Sequence, residues 1–137
     1  MCGIVGYVGR NEAIPFLLQG LEKLEYRGYD SSGIAVYTDK KIKLAKKQGR
    51  LKILEDLLAS EPKISSHLGI GHTRWATHGN PSDINAHPHM SSSGKIALIH
   101  NGIIENYMEL KKKLISEGFN EFISDTEIGR ASCRERV

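Results

Sequence analysis

Cys2 is the residue of this chain best placed to act as a nucleophile. It stands directly behind the initiator methionine in Met1-Cys2-Gly3-Ile4-Val5-Gly6. Methionine is commonly trimmed before a small residue, which would leave a thiol and a free α-amine on one residue. Such a residue can supply nucleophile and base together, the amine taking the proton as the thiol attacks. The amine titrates near 7.7–8.0 and the thiol at about 8.5 in their ordinary settings, so both change state close to neutrality. Position alone leaves a second reading open, a small buried residue opening a strand, because free cysteine is often simply core.

Thiol attack on an amide also needs an oxyanion donor and a clamp for the substrate's fixed charges. His100-Asn101-Gly102 offers a side-chain NH₂ on Asn101 and, at Gly102, a backbone N–H that no Cβ obstructs. The same dipeptide is a strong turn signal, so a plain turn is the alternative. Arg74 is a candidate carboxylate clamp, since a guanidinium grips a carboxylate with two parallel N–H bonds. Its alternative is a solvated surface charge. His78, His87 and His89 share one loop with two prolines, and no spacing there singles out a general base.

The elements that must position these residues follow from periodicity. Gly3 to Val8 reads as a buried strand. Ile14, Leu17, Leu18, Leu21 and Leu24 recur at helical spacing and predict a helix over Asn11 to Leu24, with Pro15 in its first turn. Tyr26 to Ser32 is a polar, glycine-bearing loop. Gly33 to Tyr37 and Ile42 to Lys46 flank Asp39-Lys40 and predict a hairpin. Leu51, Leu54, Leu57 and Leu58 predict a helix over Leu51 to Ser60. Leu68 to Thr73 reads as a strand running into a long polar loop, Arg74 to Met90, and loops of that length tend to be functional. Lys95 to His100 reads as another strand. Asn106 to Glu117 reads as a helix with Tyr107, Leu110 and Leu114 inward. Strands and helices alternate irregularly, so a layered α+β fold fits better than a simple βαβ array.

Composition narrows the function classes. A chain of 137 residues can build one domain with a real core. A formal charge of +3 is too small and too scattered to argue for nucleic acid. No apolar run reaches membrane length, and no signal peptide is evident. Two cysteines at opposite ends make no disulfide framework, so a reducing, cytoplasmic setting is the expectation. No cluster has the ligand spacing of a metal site.

Five segments taken together are more specific than any one: the opening Cys-Gly-Ile run, Leu24-Glu25-Tyr26-Arg27-Gly28-Tyr29-Asp30-Ser31, Gly71-His72-Thr73-Arg74-Trp75-Ala76-Thr77-His78-Gly79, Asn85-Ala86-His87-Pro88-His89, and His100-Asn101-Gly102-Ile103-Ile104-Glu105-Asn106. In order, and nearly continuously from Met1 to Thr126, they resemble the N-terminal glutaminase domain of the glutamine:fructose-6-phosphate aminotransferase (isomerizing) family, the glucosamine-6-phosphate synthases. The opening run is shared by all amidotransferases of the N-terminal-cysteine class. Tyr26-Arg27-Gly28-Tyr29-Asp30 and Thr73-Arg74-Trp75-Ala76-Thr77-His78-Gly79 are narrower and resemble this family rather than the amidophosphoribosyltransferases or asparagine synthetases.

The resemblance implies a four-layer αββα sandwich of the N-terminal-nucleophile hydrolase type, here truncated. It implies Cys2 as nucleophile, Asn101 and Gly102 as oxyanion hole, and Arg74, Thr77 and His78 as the glutamine site. Trp75 resembles the tryptophan that gates ammonia transfer, Arg27 the arginine that orders the nucleophile's surroundings, and His87 a loop residue linked to closure. The implied reaction is hydrolysis of L-glutamine through a Cys2 thioester, with no metal or organic cofactor. Ammonia would pass to fructose 6-phosphate in sugar-isomerase domains absent here, within a homo-oligomeric parent, giving glucosamine 6-phosphate. The activity is expected of the parent enzyme, and the polypeptide as written is expected to be an inactive truncated module; the other alternative is the glutaminase domain of another class II amidotransferase such as amidophosphoribosyltransferase. Residues 1–126 are read as the N-terminal part of that glutaminase domain. Ile128 to Val137, ending Ala131-Ser132-Cys133-Arg134-Glu135-Arg136-Val137, looks like no part of the family and reads as the translation of a sequencing-library adaptor, so residues 127–137 are read as a non-native tail. Glu127 would then be a junction residue standing where the family has an aspartate.

Overall fold

The computed structural model describes residues 2–75, 81–102 and 104–119. The strands are β1 (Gly3–Val8), β2 (Ser31–Thr38), β3 (Lys41–Gln48), β4 (Leu68–Arg74), β5 (His89–Met90) and β6 (Ala97–Leu98). The helices are α1 (Ala13–Lys23), α2 (Leu51–Ser60) and α3 (Tyr107–Ser116). β1, β4, β2 and β3 form one sheet in that order, antiparallel throughout, and β5 pairs with β6. The architecture is mixed α and β.

Alternation along each strand separates two faces. Val5, Tyr7, Ile34, Val36 and Ala45 point to one face, where α1 and α2 bury Ala13, Leu17, Leu21, Leu51 and Leu54 to form the core. Each fully buried leucine contributes about 2 kcal/mol of transfer free energy. The hairpin forms as predicted and is longer, because both turn residues adopt positive φ, 50° at Asp39 and 60° at Lys40. That turn's twist matches the strands it joins and lets pairing run on to Gln48.

The first helix starts at Ala13 rather than Asn11. Glu12 is occupied elsewhere, its carboxylate accepting from the Ser65 hydroxyl at 2.7 Å and the Ser66 amide at 3.1 Å. β4 runs one residue past the predicted end, to Arg74, because Ser31 pairs with it. The strand predicted over Lys95 to His100 shrinks to two residues, since its partner supplies only His89 and Met90. In α3 the inward face is covered only at its C-terminal end. Leu114 is buried, Leu110 is half-buried, and Tyr107 stays 39% exposed, contrary to the inward placement expected for it. Periodicity assigns residues to a common face without fixing how far the covering surface extends.

Candidate active site

Register places the chemistry on the face opposite the helices. Ile4 lies opposite His72, and Gly33 and Ser31 lie opposite His72 and Arg74. Cys2, one step before β1, continues the Ile4 side and stands level with Arg74. Its Sγ accepts the Trp75 backbone N–H at 3.2 Å and lies 3.6 Å from the Trp75 carbonyl. Cys2 is half-buried and is the free cysteine among the described residues. The sulfur is thus held against the Trp75 backbone at the end of β4.

Arg74 is not the solvated charge that an isolated arginine usually is. It is only 6% exposed, and its guanidinium lies 3.5 Å from the Asp30 carboxylate. The Asp30 amide donates back to the Arg74 carbonyl at 2.7 Å, and the Asp30 carbonyl accepts from Gly49. The Tyr26–Ser32 segment is thus tied to the end of β4. Tyr29 anchors the same segment from below, donating to the Glu25 carboxylate and accepting the Leu51 N–H at the start of α2. Desolvation first, and then the Glu25 carboxylate, push the Tyr29 phenol up to about 12, so it stays a donor. The Trp75 ring is half exposed and packs over Gly28, where an added Cβ would come within 2.9 Å of Cζ3.

Asn101 and Gly102 are both exposed, and Gly102 sits at a φ of 151°. The Asn101 Oδ1 accepts from His72 Nε2 at 2.6 Å. His72 is fully buried, and its ring stacks on His87 with centroids 4.6 Å apart and planes 23° apart. His89 meets His87 edge-on at 4.7 Å. Burial pushes His72 down to about 4, with Arg74 adding to the fall and the Asn101 bond and Asp30 opposing it. Burial also pushes His87 down to about 2, helped by His72, His89, Arg74 and Lys46. Both rings are neutral at neutral pH.

The loop carrying His87 is seated directly on the sheet. Lys46 Nζ donates to the Ile84 and Ala86 carbonyls at 2.9 and 2.8 Å. Asp83 accepts from Lys47 Nζ and from the Gln48 amide, both at 2.7 Å. Close approach is possible because Gly33 has no side chain: a Cβ there would stand 2.2 Å from the His87 carbonyl oxygen.

The structure therefore brings Cys2, Arg74 and Trp75 together at the end of β4, while His72, on the same face of that strand, links Asn101 to His87. Thr77 and His78 lie outside the described residues, as does the Arg27 side chain; the Arg27 backbone ends a short 3₁₀ turn, Glu25–Arg27, beside Gly28. Two residues of the site were not singled out from sequence, His72 and Asp30. The i, i+2 spacing of His72 and Arg74 on a strand was the available signal for the first, because it puts both on one face.

Residues 60–132 match the family described as glutamine amidotransferase domain. The chain is 59% identical over 127 residues to the glutamine--fructose-6-phosphate aminotransferase [isomerizing] of Caldanaerobacter subterraneus subsp. tengcongensis, covering 93% of this chain and 21% of that protein. It is 58% identical over 127 residues, with the same coverage, to the protein of that name from Clostridium tetani. The chain thus spans 21% of the length of these curated relatives. Among solved structures, it resembles an allosteric regulatory enzyme of purine biosynthesis with a TM-score of 0.79 at 30% identity, over 93% of this chain and 28% of that one. A glutamine phosphoribosylpyrophosphate amidotransferase from B. subtilis gives a TM-score of 0.78 at 28% identity, over 100% of this chain and 30% of that one.

Proposed function

This chain belongs to the glutamine amidotransferase domain family, and from that premise we propose that, within the full-length protein, it hydrolyses L-glutamine through a Cys2 thioester. The observation that carries the reading is the Trp75 amide directed at Cys2 Sγ, on the sheet face that also bears Arg74 and the His72–Asn101 pair. Arg74 takes the substrate's α-carboxylate, helped by Thr77 and His78. The thiolate adds to the side-chain amide carbon, and the charge on oxygen is met by Asn101 Nδ2 and the Gly102 N–H. The C–N bond breaks as the amine leaves, carrying the proton first taken by the α-amine of Cys2 after loss of Met1. Water then cleaves the γ-glutamyl thioester, releasing glutamate and restoring the thiol. Trp75, Arg27 and His87 are positioning residues around this centre.

Ammonia passes on to fructose 6-phosphate in a further part of the protein. The 58–59% identity to the aminotransferases, against 30% to the purine-biosynthesis enzyme and 28% to the phosphoribosylpyrophosphate amidotransferase, favours that acceptor. The fold reading is a four-layer αββα sandwich. Its support is the sheet face opposite α1 and α2, where Ile4, Val8, Tyr37 and Leu68 remain 47–79% exposed. In that fold a second sheet packs on this face and covers those side chains. Residues 127–137 are adaptor-derived, which resequencing of the source locus tests: a genomic frame encoding Ile128 to Val137 refutes it. The function is tested by glutamate release from the full-length protein. Cys2→Ser is expected to abolish turnover while leaving the circular dichroism spectrum intact, and undiminished turnover in that variant overturns the assignment.

A further inference from the structure

An asparagine side chain serves an oxyanion hole in only one of its two amide orientations. The NH₂ must face the reacting carbonyl, and a half-turn about the last torsion would present an oxygen and repel the developing charge. Something must therefore hold the amide. Asn101 is exposed, so packing does not do it.

His72 supplies the hold. Its Nε2 lies 2.6 Å from Asn101 Oδ1, and an amide oxygen can only accept, so Nε2 carries the hydrogen. Burial keeps the ring neutral, which leaves a single N–H, and that one is spent on Asn101. Among the described residues, Nδ1 is buried without a hydrogen-bond partner. The opposite tautomer would strand a buried N–H there and set a lone pair against Oδ1, so it is disfavoured on both sides of the ring. The ring cannot swing away either. His87 stacks on it at 4.6 Å, His89 braces His87, and the segment behind them rests on Gly33.

We propose that His72 is a positioning residue of the oxyanion hole, fixing the Asn101 amide with Oδ1 bound and Nδ2 free for the substrate oxyanion. The inference rests on the reading of Asn101 as an oxyanion donor. It assigns the buried histidine stack a purpose in the reaction, namely to hold one N–H still. His72 touches no reacting atom.

The test is steady-state glutaminase kinetics on the full-length protein for His72→Phe, His72→Gln, Asn101→Ala and the His72→Phe/Asn101→Ala double variant. Phenylalanine keeps a ring for His87 to stack on and removes the donor, while glutamine restores an N–H. Asn101→Ala is expected to lower kcat by about 100-fold. His72→Phe is expected to lower kcat by about 10-fold with KM for glutamine within about two-fold, and His72→Gln to recover most of the loss. In the Asn101→Ala background, His72→Phe should change kcat by less than about two-fold, because two residues acting as a unit are not additive. Should His72→Phe fail to fold, His72→Met takes its place in the same cycle. The proposal is overturned if the donor-free variant keeps wild-type kcat, if glutamine does not rescue it, or if the losses multiply in the double variant. An Asn101→Ala protein with undiminished kcat would instead overturn the oxyanion-hole reading beneath it.

Discussion

The buried histidine stack sets a specific dependence of stability on pH. An unfolded histidine titrates at about 6.5, whereas His72 is held near 4 and His87 near 2. A base whose folded pKa is depressed contributes no penalty above its unfolded value. Its stability is lost as pH falls from the unfolded pKa towards the folded one, because protons then bind the unfolded chain preferentially. Between pH 7 and pH 5 the unfolded chain takes up about 0.7 proton at each of these positions, and the native chain almost none. Integrating the linkage gives a loss of about 1.8 kcal/mol per histidine, or about 3.6 kcal/mol for the pair. Carboxylates do not confuse this window. Glu12 and Asp83, held below the usual carboxylate range by Ser65 and Lys47 respectively, lose their partners' benefit only at lower pH. Urea unfolding followed by circular dichroism at pH 7, 6 and 5 measures the effect. His87→Phe keeps a stacked ring without a titrating nitrogen and should roughly halve the slope. A stability that is flat from pH 7 to pH 5 would refute the argument that these rings are neutral because they are buried.

Three further outcomes follow from the geometry. Arg74→Lys keeps the charge and loses the planar fork, so KM for glutamine should rise about ten-fold or more, read from initial rates. Intact mass of active protein should show Met1 missing, because an acylated Cys2 amine cannot take a proton; full turnover with Met1 retained would contradict the amine's role. Gly33→Ala drives a methyl group into the His87 carbonyl and the Lys46 side chain, which should cost about 1–3 kcal/mol in urea unfolding. The same variant should lower glutaminase kcat, since the segment that braces His72 must lift.

The sequence alone determined the local elements and the chemical vocabulary of this protein. Periodic leucines predicted α1 and α2 because an amphipathic stripe has only one way to be buried, and a two-residue turn between alternating strands predicted the β2–β3 hairpin. Cys2, Arg74, Asn101 and Gly102 were legible as candidates from residue type, since few side chains can attack an amide, clamp a carboxylate or donate to an oxyanion. What the tertiary structure decided was which of these groups meet and in what state. Pairing of β4 with both β1 and β2 brings Cys2 level with Arg74, from positions 73 residues apart from the sulfur to its Trp75 partner. Asp30 and His72 became part of the site only through that pairing, because neither sequence spacing nor composition records which strand lies beside which. The neutrality of His72 and His87 likewise belongs to the fold. A histidine's charge depends on the water and charges around it, and here a sheet face, a loop seated over Gly33 and a second ring have taken the water away.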